Sequence, residues 1–407
     1  MLYNKISKCR ISGDKNLILV TKFPSMGLTG TFPKSKKQKI PKTPIEVVFS
    51  NKSKLLQLKH NYNSKILYGK NYGYRSGLND LMVKHLKKKY FYLKKNLKIL
   101  KSDYILDIGS NDSTFLNFFN CKRVGIDPSI IKFKEDYNKS IETHAETFDE
   151  AYSKIEKKKF KLITAIAMFY DLENPVKCLN KIKKILDKKG ILHIEVAYLP
   201  EIIKNFSYDT FCQEHYEYYS MHSLMYMCKM SNMKILDVEF NKINGGSIWI
   251  NVSHEDSHLR PNNLKITRII KKEKKEKIDK IITYKKYFQK VFDHSKKLTK
   301  ILKKIKIKKN NNIYGYGAST KGNVLLQLSK IDNKTINKIF EINKEKFNKF
   351  TPISKIEIIN ELEIRKIKPD YMLILIWQFG KFIIKKIKKF SKKTKIIIPF
   401  PKIKIIN

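Results

Sequence analysis

The feature of the sequence that most limits its fold is an alternation of short apolar runs with helical segments across residues 61–255. This alternation predicts an α/β fold with a parallel sheet, because a strand that returns parallel needs a helix-sized crossover. The predicted strands are Tyr104–Ile108, Arg123–Ile126, Leu162–Ala167, Ile191–Ala197 and an antiparallel pair, Lys234–Phe240 and Ser247–Val252, joined through Asn244–Gly245–Gly246.

The rest of the chain differs from this Rossmann-like core in its pattern of apolar residues. Residues 264–307 lack Gly and Pro and repeat apolar side chains near a 3.6 period, which predicts amphipathic helices rather than a coiled coil with clean heptads. Further strands are predicted at Asn312–Tyr316, Tyr371–Ile376 and Lys395–Ile398. We expect a small N-terminal module (1–60), a core domain (61–255), a helical linker (256–310) and a second Rossmann-like domain (311–407).

The net charge of +48, from 85 basic and 37 acidic residues, raises the possibility of a nucleic-acid partner. Only six of the basic residues are Arg, whereas base readout and bidentate phosphate contacts favour Arg. The lysines are scattered among Ile and Asn, as codon bias in an AT-rich genome would produce. We therefore do not expect a nucleic-acid partner, although the charge would attract acidic small molecules.

Cysteine usage and hydropathy bear on the compartment. The five cysteines show no disulfide-like spacing, and the N-terminus lacks the apolar core of a signal peptide. The longest apolar run, Tyr371–Trp377, is too short to span a bilayer. These features predict a cytoplasmic protein with no membrane-spanning segment, and they leave its oligomeric state open.

The first predicted strand runs into a turn that is suited to a nucleoside cofactor. Gly109 allows a sharp bend at a carboxyl strand end, where α/β sheets bind ligands. Asp107 and Asp112 supply carboxylates for a cationic ligand end, and Asp127 ends the next strand, where an acidic residue accepts ribose hydroxyls. The combination predicts S-adenosyl-L-methionine (SAM), with a helix over Thr114–Phe119 after the turn.

Two features of this site have alternative explanations. Phe169 and Tyr170 follow the third strand and could flank an adenine, but core packing explains them equally well. Ser113 stands where a methyltransferase loop often has Gly, and we expect it to fit through a negative φ.

Two later segments also carry candidate chemistry. Gly315, Gly317, Ser319 and Lys321 follow a strand and open a predicted helix, which is typical of a phosphate cradle or of an ordinary strand–helix connection. The segment 208–220 contains Glu214 and His215 after the fourth strand. It is either a catalytic segment or an aromatic-rich lid with a surface His, and composition alone favours the lid.

Five runs of the sequence closely resemble the nucleotide-sugar C-methyltransferase family, and they occur in the same order over nearly the whole chain. They are Asn71–Asn79, Met168–Pro175, Gln213–Ser220, Asn244–Ser247 and Tyr314–Gln327.

The resemblance implies three parts: an N-terminal zinc-binding module, a SAM-dependent methyltransferase domain, and a C-terminal domain that helps to hold a nucleotide-linked sugar. It implies methylation of a carbon next to a keto group, with His215 as the general base and Glu214 beside it. It also adds residues to both sites: Tyr72, Arg75 and Asn111 for the cofactor, and Asn244 and Gly245 for the substrate.

The sequence departs from the family at several positions. The paired cysteines of the zinc module read Cys9-x2-Ser12 and Ser50-x2-Ser53, and we expect no bound zinc because hydroxyls are poor zinc ligands. Gln213 and Gln378 stand where relatives tend to have His, which puts substrate identity and turnover in doubt. Two alternatives therefore remain, an RNA methyltransferase and a non-catalytic sugar-nucleotide-binding relative.

Overall fold

The computed structural model describes residues 2–68, 73–308 and 311–407. Its strands are β1 (Tyr3–Lys5), β2 (Leu17–Gly27), β3 (Lys42–Ser50), β4 (Leu56–Leu58), β5 (His60–Tyr62), β6 (Tyr104–Ile108), β7 (Lys122–Ile126), β8 (Ile141–His144), β9 (Phe160–Ile166), β10 (Leu186–Ala197), β11 (Glu217–Tyr218), β12 (Met233–Asn241), β13 (Ser247–His254), β14 (Ile313–Tyr316), β15 (Lys338–Glu341), β16 (Glu357–Asn360), β17 (Tyr371–Ile374), β18 (Lys395–Ile398) and β19 (Lys404–Ile406).

The helices lie between these strands. They are α1 (Ser64–Leu67), α2 (Asp80–Asn96), α3 (Ile130–Phe133), α4 (Phe148–Ile155), α5 (Pro175–Ile185), α6 (Leu199–Lys204), α7 (Met221–Met230), α8 (Asn263–Lys275), α9 (Ile281–Ile307), α10 (Thr320–Leu328), α11 (Ile364–Ile367) and α12 (Gly380–Phe390).

Two small antiparallel sheets form the N-terminal part of the chain. β2 pairs with β3 and β3 with β4, while β1 pairs with β5. The short strand β11, which comes just after His215, adds to β4 as the edge of the larger sheet. The N-terminal strands therefore hold one end of the segment that was predicted to be catalytic.

The central sheet has seven strands in the order β12-β13-β10-β9-β6-β7-β8. Strands β6 to β10 are parallel, and β13 runs antiparallel between β10 and β12. All six predicted strands are confirmed, although β10 begins earlier than expected, at Leu186. The unpredicted strand is β8, whose sequence Ile-Glu-Thr-His is short and half polar.

The C-terminal sheet has the order β16-β15-β14-β17-β18-β19, with only β19 antiparallel to its neighbour. β14, β17 and β18 confirm the three predicted strands. This is a second doubly wound arrangement, and its carboxyl strand ends are where such sheets bind ligands.

The predicted amphipathic helices are α8 and α9, separated by a break at residues 276–280. The buried side of α9, which includes Tyr284, Phe288 and Leu298, packs in one apolar core with β2 and β3 residues and with C-terminal strand residues such as Ile339. Helix α9 thus joins the N-terminal and C-terminal sheets through packing, and not only through the chain. Among the described residues no helix is both long and apolar enough to cross a bilayer, and the five cysteines are free.

Candidate active site

A single large cavity of about 1050 Å³ lies where the central and C-terminal sheets face each other. Its walls include both carboxyl strand ends of the central sheet that were predicted to hold a cofactor and the glycine loop after β14. The predicted site residues that line it are Arg75, Asp107, Gly109, Asn111, Asp112, Asp127, Tyr170, Glu214, His215, Asn244, Gly317, Ser319 and Lys321.

Three predicted residues do not line this cavity. Phe169 is fully buried in the central apolar core, which agrees with the packing alternative for that side chain. Gly315 lies within β14, where a Cβ would come 2.8 Å from Ile339. Gly245 sits beside the Trp377 ring with a φ of +91°. Tyr72 lies outside the described residues.

The turn after β6 approaches the cavity closely because Gly109 has a φ of +79°. A Cβ at this position would lie 2.7 Å from Met168, so a larger residue would push into the wall of the site. Asp107, at the end of β6, is buried and accepts a hydrogen bond from Thr164 Oγ1 at 2.6 Å. Burial raises the pKa of Asp107 to about 7, so a cationic ligand would favour its ionised form.

Asp127, at the end of β7, ties two turns together. Its carboxylate accepts the backbone N–H of Asn111 at 3.0 Å and that of Ser129 at 2.7 Å. Burial raises its pKa, and these hydrogen bonds oppose the rise. Asp127 therefore shapes the Gly109 turn in addition to facing the cavity.

Asn111 and Asp112 are already engaged by another part of the chain. Asn111 Oδ1 accepts from the Ser76 N–H at 2.9 Å, and Asp112 Oδ2 accepts from the Gly77 N–H at 2.8 Å. Arg75 lies 3.5 Å from Asp112 and pairs with Asp136 at 2.5 Å. Asp112 thus holds residues 75–77 against the Gly109 turn while it also lines the cavity.

The turn ends in a way that the sequence did not predict. Ser113 has a φ of +63°, not the expected negative value, and this region is costly for a residue with a Cβ. Its hydroxyl donates to Asp136 O at 2.9 Å and accepts from Asn117 at 2.8 Å, which helps to hold the conformation. The predicted helix over Thr114–Phe119 is only a 3₁₀ turn at Leu116–Phe118, since so short a segment cannot sustain an α-helix alone.

The segment 208–220 is part of the protein core and not a lid. Its aromatic side chains Tyr208, Phe211, Tyr216, Tyr218 and Tyr219 are all almost completely buried. They fix the backbone around His215, which is only partly buried and lines the cavity. The lid alternative from composition is therefore wrong.

Hydrogen bonding fixes the orientation and tautomer of His215. Its Nδ1 lies 2.9 Å from the carbonyl oxygen of Thr210, a contact that requires a proton on Nδ1. The ring meets the Tyr170 ring edge-on, with centroids 4.7 Å apart. Burial, with a contribution from the nearby Lys321 ammonium, lowers the pKa of His215 to about 3. At neutral pH the ring is neutral and Nε2 is available as a base.

Glu214 is buried beside the N-terminal module. Its Oε2 accepts from Thr29 Oγ1 at 3.3 Å, and its Oε1 has no hydrogen-bond partner among the described residues. Gly30 makes this approach possible, because a Cβ there would collide with Oε1. Burial raises the pKa of Glu214. Gln213, which replaces the His of relatives, bonds Thr29, Thr43 and the Met26 carbonyl and so holds the same module.

Two backbone N–H groups of the glycine loop after β14 are engaged within the protein. Ser319 Oγ accepts the Gly322 N–H at 3.0 Å, and Glu341 accepts the Ala318 N–H at 2.8 Å. The Lys321 Nζ donates to the Asn244 carbonyl at 3.0 Å. The Ala318 and Gly322 N–H groups are therefore not free to bind a phosphate.

Several cavity residues were not predicted from the sequence. Glu146, Thr147 and Asp149 follow β8, and the weak pattern of that strand concealed them. Glu341 is the last residue of β15, and it was missed because that strand was not predicted from the sequence. Asp209 accepts from Trp377 Nε1 at 2.8 Å, a contact between distant segments that one sequence does not reveal.

The four positions of the expected zinc module come together in the fold. Cys9 Sγ lies 3.2 Å from Ser53 Oγ, and Ser12 Oγ lies 3.5 Å from Ser50 Oγ. One thiol and three hydroxyls do not fit Zn²⁺, which takes thiolate or imidazole ligands in structural sites. No cluster of three or more His, Cys, Asp or Glu suited to a metal is found in the part of the chain that the structure describes.

We expect the purified protein to contain no stoichiometric zinc, because three of the four ligand positions are serines. Elemental analysis of the full chain tests this expectation. The matched control is the triple variant Ser12→Cys, Ser50→Cys, Ser53→Cys, which should bind about one zinc per chain since the four positions already converge. About one zinc in the unmodified protein would contradict the expectation.

Comparison with known proteins agrees with the two facing sheets. Residues 82–238 match the family described as "Methyltransferase domain", and residues 242–401 match "C-methyltransferase C-terminal domain". The C-methyltransferase NovU of Streptomyces niveus is 24% identical over 413 aligned positions, which cover 99% of this chain and 97% of NovU.

Two solved methyltransferase structures each match less than half of this chain. The plantazolicin methyltransferase BpumL in complex with SAH is 14% identical and has a TM-score of 0.35, with 42% of this chain and 83% of that chain covered. The complex of the Haloferax volcanii Trm112 methyltransferase activator with a methyltransferase is 12% identical and has a TM-score of 0.35. The match covers 43% of this chain and 95% of that chain. The two family matches and the full-length relative show that the chain is a SAM-dependent methyltransferase, and its C-terminal part resembles the C-terminal domain of C-methyltransferases.

Proposed function

We propose that the protein transfers the methyl group of SAM to a carbon next to the keto group of a nucleotide-linked deoxysugar. The observation that carries this proposal is the shared cavity. The Gly109 turn and Asp127, the base His215, and Lys321 from the C-terminal domain all face one space. A volume of about 1050 Å³ accommodates two ligands of nucleotide size.

The proposed division of the chain follows this cavity. Residues 61–255 supply the cofactor side and the base, and residues 311–407 supply the opposite wall. Residues 1–60 support Glu214 through Thr29 and Gly30, and residues 256–310 connect the two larger units. Each unit thus has a part in one site.

The residues present fit SAM at the carboxyl ends of β6 and β7. Asp127 is placed to accept ribose hydroxyls, and Asp107 is a buried carboxylate suited to a cationic ligand end. When bound, SAM supplies an electrophilic methyl group. The chain itself orients the substrate and removes a proton from it.

His215 is the proposed general base. Its Nδ1–H is held by the Thr210 carbonyl, which leaves the Nε2 lone pair to accept the proton α to the ketone. The electron pair of that C–H bond moves onto the ketone oxygen. The enolate carbon would then form the new C–C bond with the methyl group of SAM as the bond between that methyl group and sulfur breaks, and the electron pair of the broken bond would stay on sulfur in S-adenosylhomocysteine. The nearby Glu214 carboxyl is proposed to contact the sugar.

The proposed function is tested by incubating the full chain and SAM with a panel of nucleoside-diphosphate keto-deoxysugars. We expect S-adenosylhomocysteine to form with at least one of them, together with a product that carries one added methyl on the carbon beside the ketone. Structured RNA serves as the comparison substrate. Methylation of RNA with no turnover of any sugar, or RNA affinity whose logarithm falls steeply with log salt, would contradict the proposal.

A further inference from the structure

We infer that the Lys321 ammonium hydrogen-bonds the ketone oxygen of the substrate and stabilises the enolate that forms when His215 removes the α proton. This inference rests on the proposed function and assigns Lys321 to catalysis rather than to phosphate binding. Both Lys321 and His215 line the same cavity.

The surroundings of the glycine loop argue against a phosphate at Lys321. The N–H groups of Ala318 and Gly322 are taken by Glu341 and Ser319. Glu341 also places a carboxylate against this loop, where it would repel an anion. A phosphate cradle needs free backbone donors as well as a cation, and two of the donors of this loop are engaged within the protein.

The position of Lys321 instead matches that of a group acting on the reacting end of the substrate. Its Nζ reaches across to the Asn244 carbonyl, in the loop between β12 and β13 of the methyltransferase sheet. An ammonium has three N–H donors, and this is the one hydrogen bond found for it within the described residues. Donors remain for a ligand oxygen.

One short turn positions both proposed catalytic groups. Thr210, in the 3₁₀ turn Tyr208–Thr210, holds Nδ1 of His215 through its carbonyl. Its neighbour Asp209 lies close to Lys321, and the Asp209 Oδ1 atom is buried with no hydrogen-bond partner among the described residues. Trp377 and Gln378 bond the other oxygen, Oδ2, at 2.8 and 3.4 Å. Asp209 thereby supplies a fixed countercharge for the ammonium.

Nearby charges act in opposite directions on Lys321 and on His215. Burial lowers the pKa of Lys321, and the Asp209 carboxylate opposes this change. Burial also lowers the pKa of His215, and the positive charge of Lys321 adds to that effect.

The step balances within the site. The α C–H bond breaks and its proton goes to His215 Nε2, while its electron pair becomes the enolate and places negative charge on the ketone oxygen. Lys321 N–H donors then face a full charge where they had faced a carbonyl dipole, so their interaction strengthens as the proton leaves.

The test is the variant Lys321→Met, which keeps an unbranched side chain and removes the charge, compared with the exposed control Lys334→Met. Solvent deuterium exchange at the α carbon of the keto-sugar nucleotide that the panel identifies is measured without SAM at saturating substrate. We expect exchange to fall about 10²–10³-fold in Lys321→Met, the loss typical of one oxyanion donor, and to be unchanged in the control.

Binding of thymidine diphosphate and of uridine diphosphate separates the two roles of Lys321. Neither molecule has a ketone, so we expect Lys321→Met to bind whichever diphosphate the wild type binds with unchanged affinity. Weaker diphosphate binding with wild-type exchange at saturation would show a phosphate contact and overturn the inference. Wild-type protein that exchanges no keto sugar would instead overturn the proposed function.

Binding of S-adenosylhomocysteine serves as the folding check, because Lys321 lies across the cavity from Asp127. Lys321→Gln provides a second variant that keeps an N–H donor without the charge, and it should exchange at a rate between those of Lys321→Met and the wild type. Equal exchange in all three proteins would contradict the inference.

Discussion

Replacing His215 by Asn should slow methyl transfer by about 10²–10⁴-fold, the usual contribution of a positioned general base. Asn is polar and of similar size, so it can still donate to the Thr210 carbonyl that His215 Nδ1 contacts at 2.9 Å. It has no group able to accept the α proton at neutral pH. The affinity for SAM should change little, because the cofactor is proposed to be held by the Gly109 turn and Asp127 and not by His215.

Deuterium exchange at the α carbon, measured without SAM, isolates the proton step from methyl transfer. Wild-type protein should exchange and His215→Asn should not. The control is His258→Asn, which makes the same replacement at an exposed position that does not line the cavity. Exchange by His215→Asn at the wild-type rate would exclude this base, and the buried carboxyl of Glu214 would become the next candidate.

The pKa of His215 also predicts the pH profile. Since burial and Lys321 lower it to about 3, the free protein keeps His215 neutral at every pH above that value. A fall from pH 8 to pH 5 should therefore not protonate the base, and kcat/KM should lack the acidic limb near 6.5 that an ordinary His would give. A limb near 6.5 in the wild type that moves to higher pH in a Lys321→Met background would contradict this expectation, because loss of the nearby positive charge raises the pKa of His215.

Six of the seven central strands and three of the six C-terminal strands could be predicted, because burial on both faces leaves apolar runs that need no tertiary information, whereas β15, β16 and β19 were not predicted. β6 matches its predicted bounds, Tyr104–Ile108, and β18 matches Lys395–Ile398. β8 was missed because it lies at the edge of its sheet and only Ile141 of its residues is buried. Edge strands carry less of the pattern from which such predictions are made.

The candidate site was predictable as a set of strand ends but not as a set of contacts. Position along the chain correctly placed Asp107, Asp127 and His215 at the cavity. It did not show that the Gly77 N–H would donate to Asp112, or that Glu341 would accept the Ala318 N–H in the loop before Lys321. Such pairings join residues far apart in sequence, and a single sequence contains no record of them.

The backbone conformation of the turn after β6 was the other feature that could not be predicted from the sequence. Ser113 looked compatible with a negative φ, but Asn111 and Ser113 both have positive φ values, of 50° and 63°. The turn is set by Asp127, which holds the Asn111 N–H, and by the hydroxyl of Ser113 itself. Local propensity was overridden by these hydrogen bonds.

Replacing Asp127 by Ala should weaken binding of S-adenosylhomocysteine at least tenfold. A hydrogen bond to a charged group contributes about 1.5–3 kcal/mol, and the variant loses the carboxylate proposed to accept the ribose hydroxyls. Calorimetry on the full chain measures the loss. Asp256→Ala, which removes the same charge at an exposed position outside the cavity, should bind as the wild type does.

The structure gives Asp127 a second way to affect binding, because it also holds the Asn111 and Ser129 N–H groups at 3.0 and 2.7 Å. An analogue of S-adenosylhomocysteine without the ribose 2′-hydroxyl separates the two effects. If Asp127 binds the ribose, the wild type should bind the analogue more weakly than S-adenosylhomocysteine. Asp127→Ala should bind the two molecules equally, because without the carboxylate the 2′-hydroxyl makes no hydrogen bond that the analogue could lack. If Asp127 only shapes the turn, both proteins will discriminate equally, and the ribose assignment will be wrong.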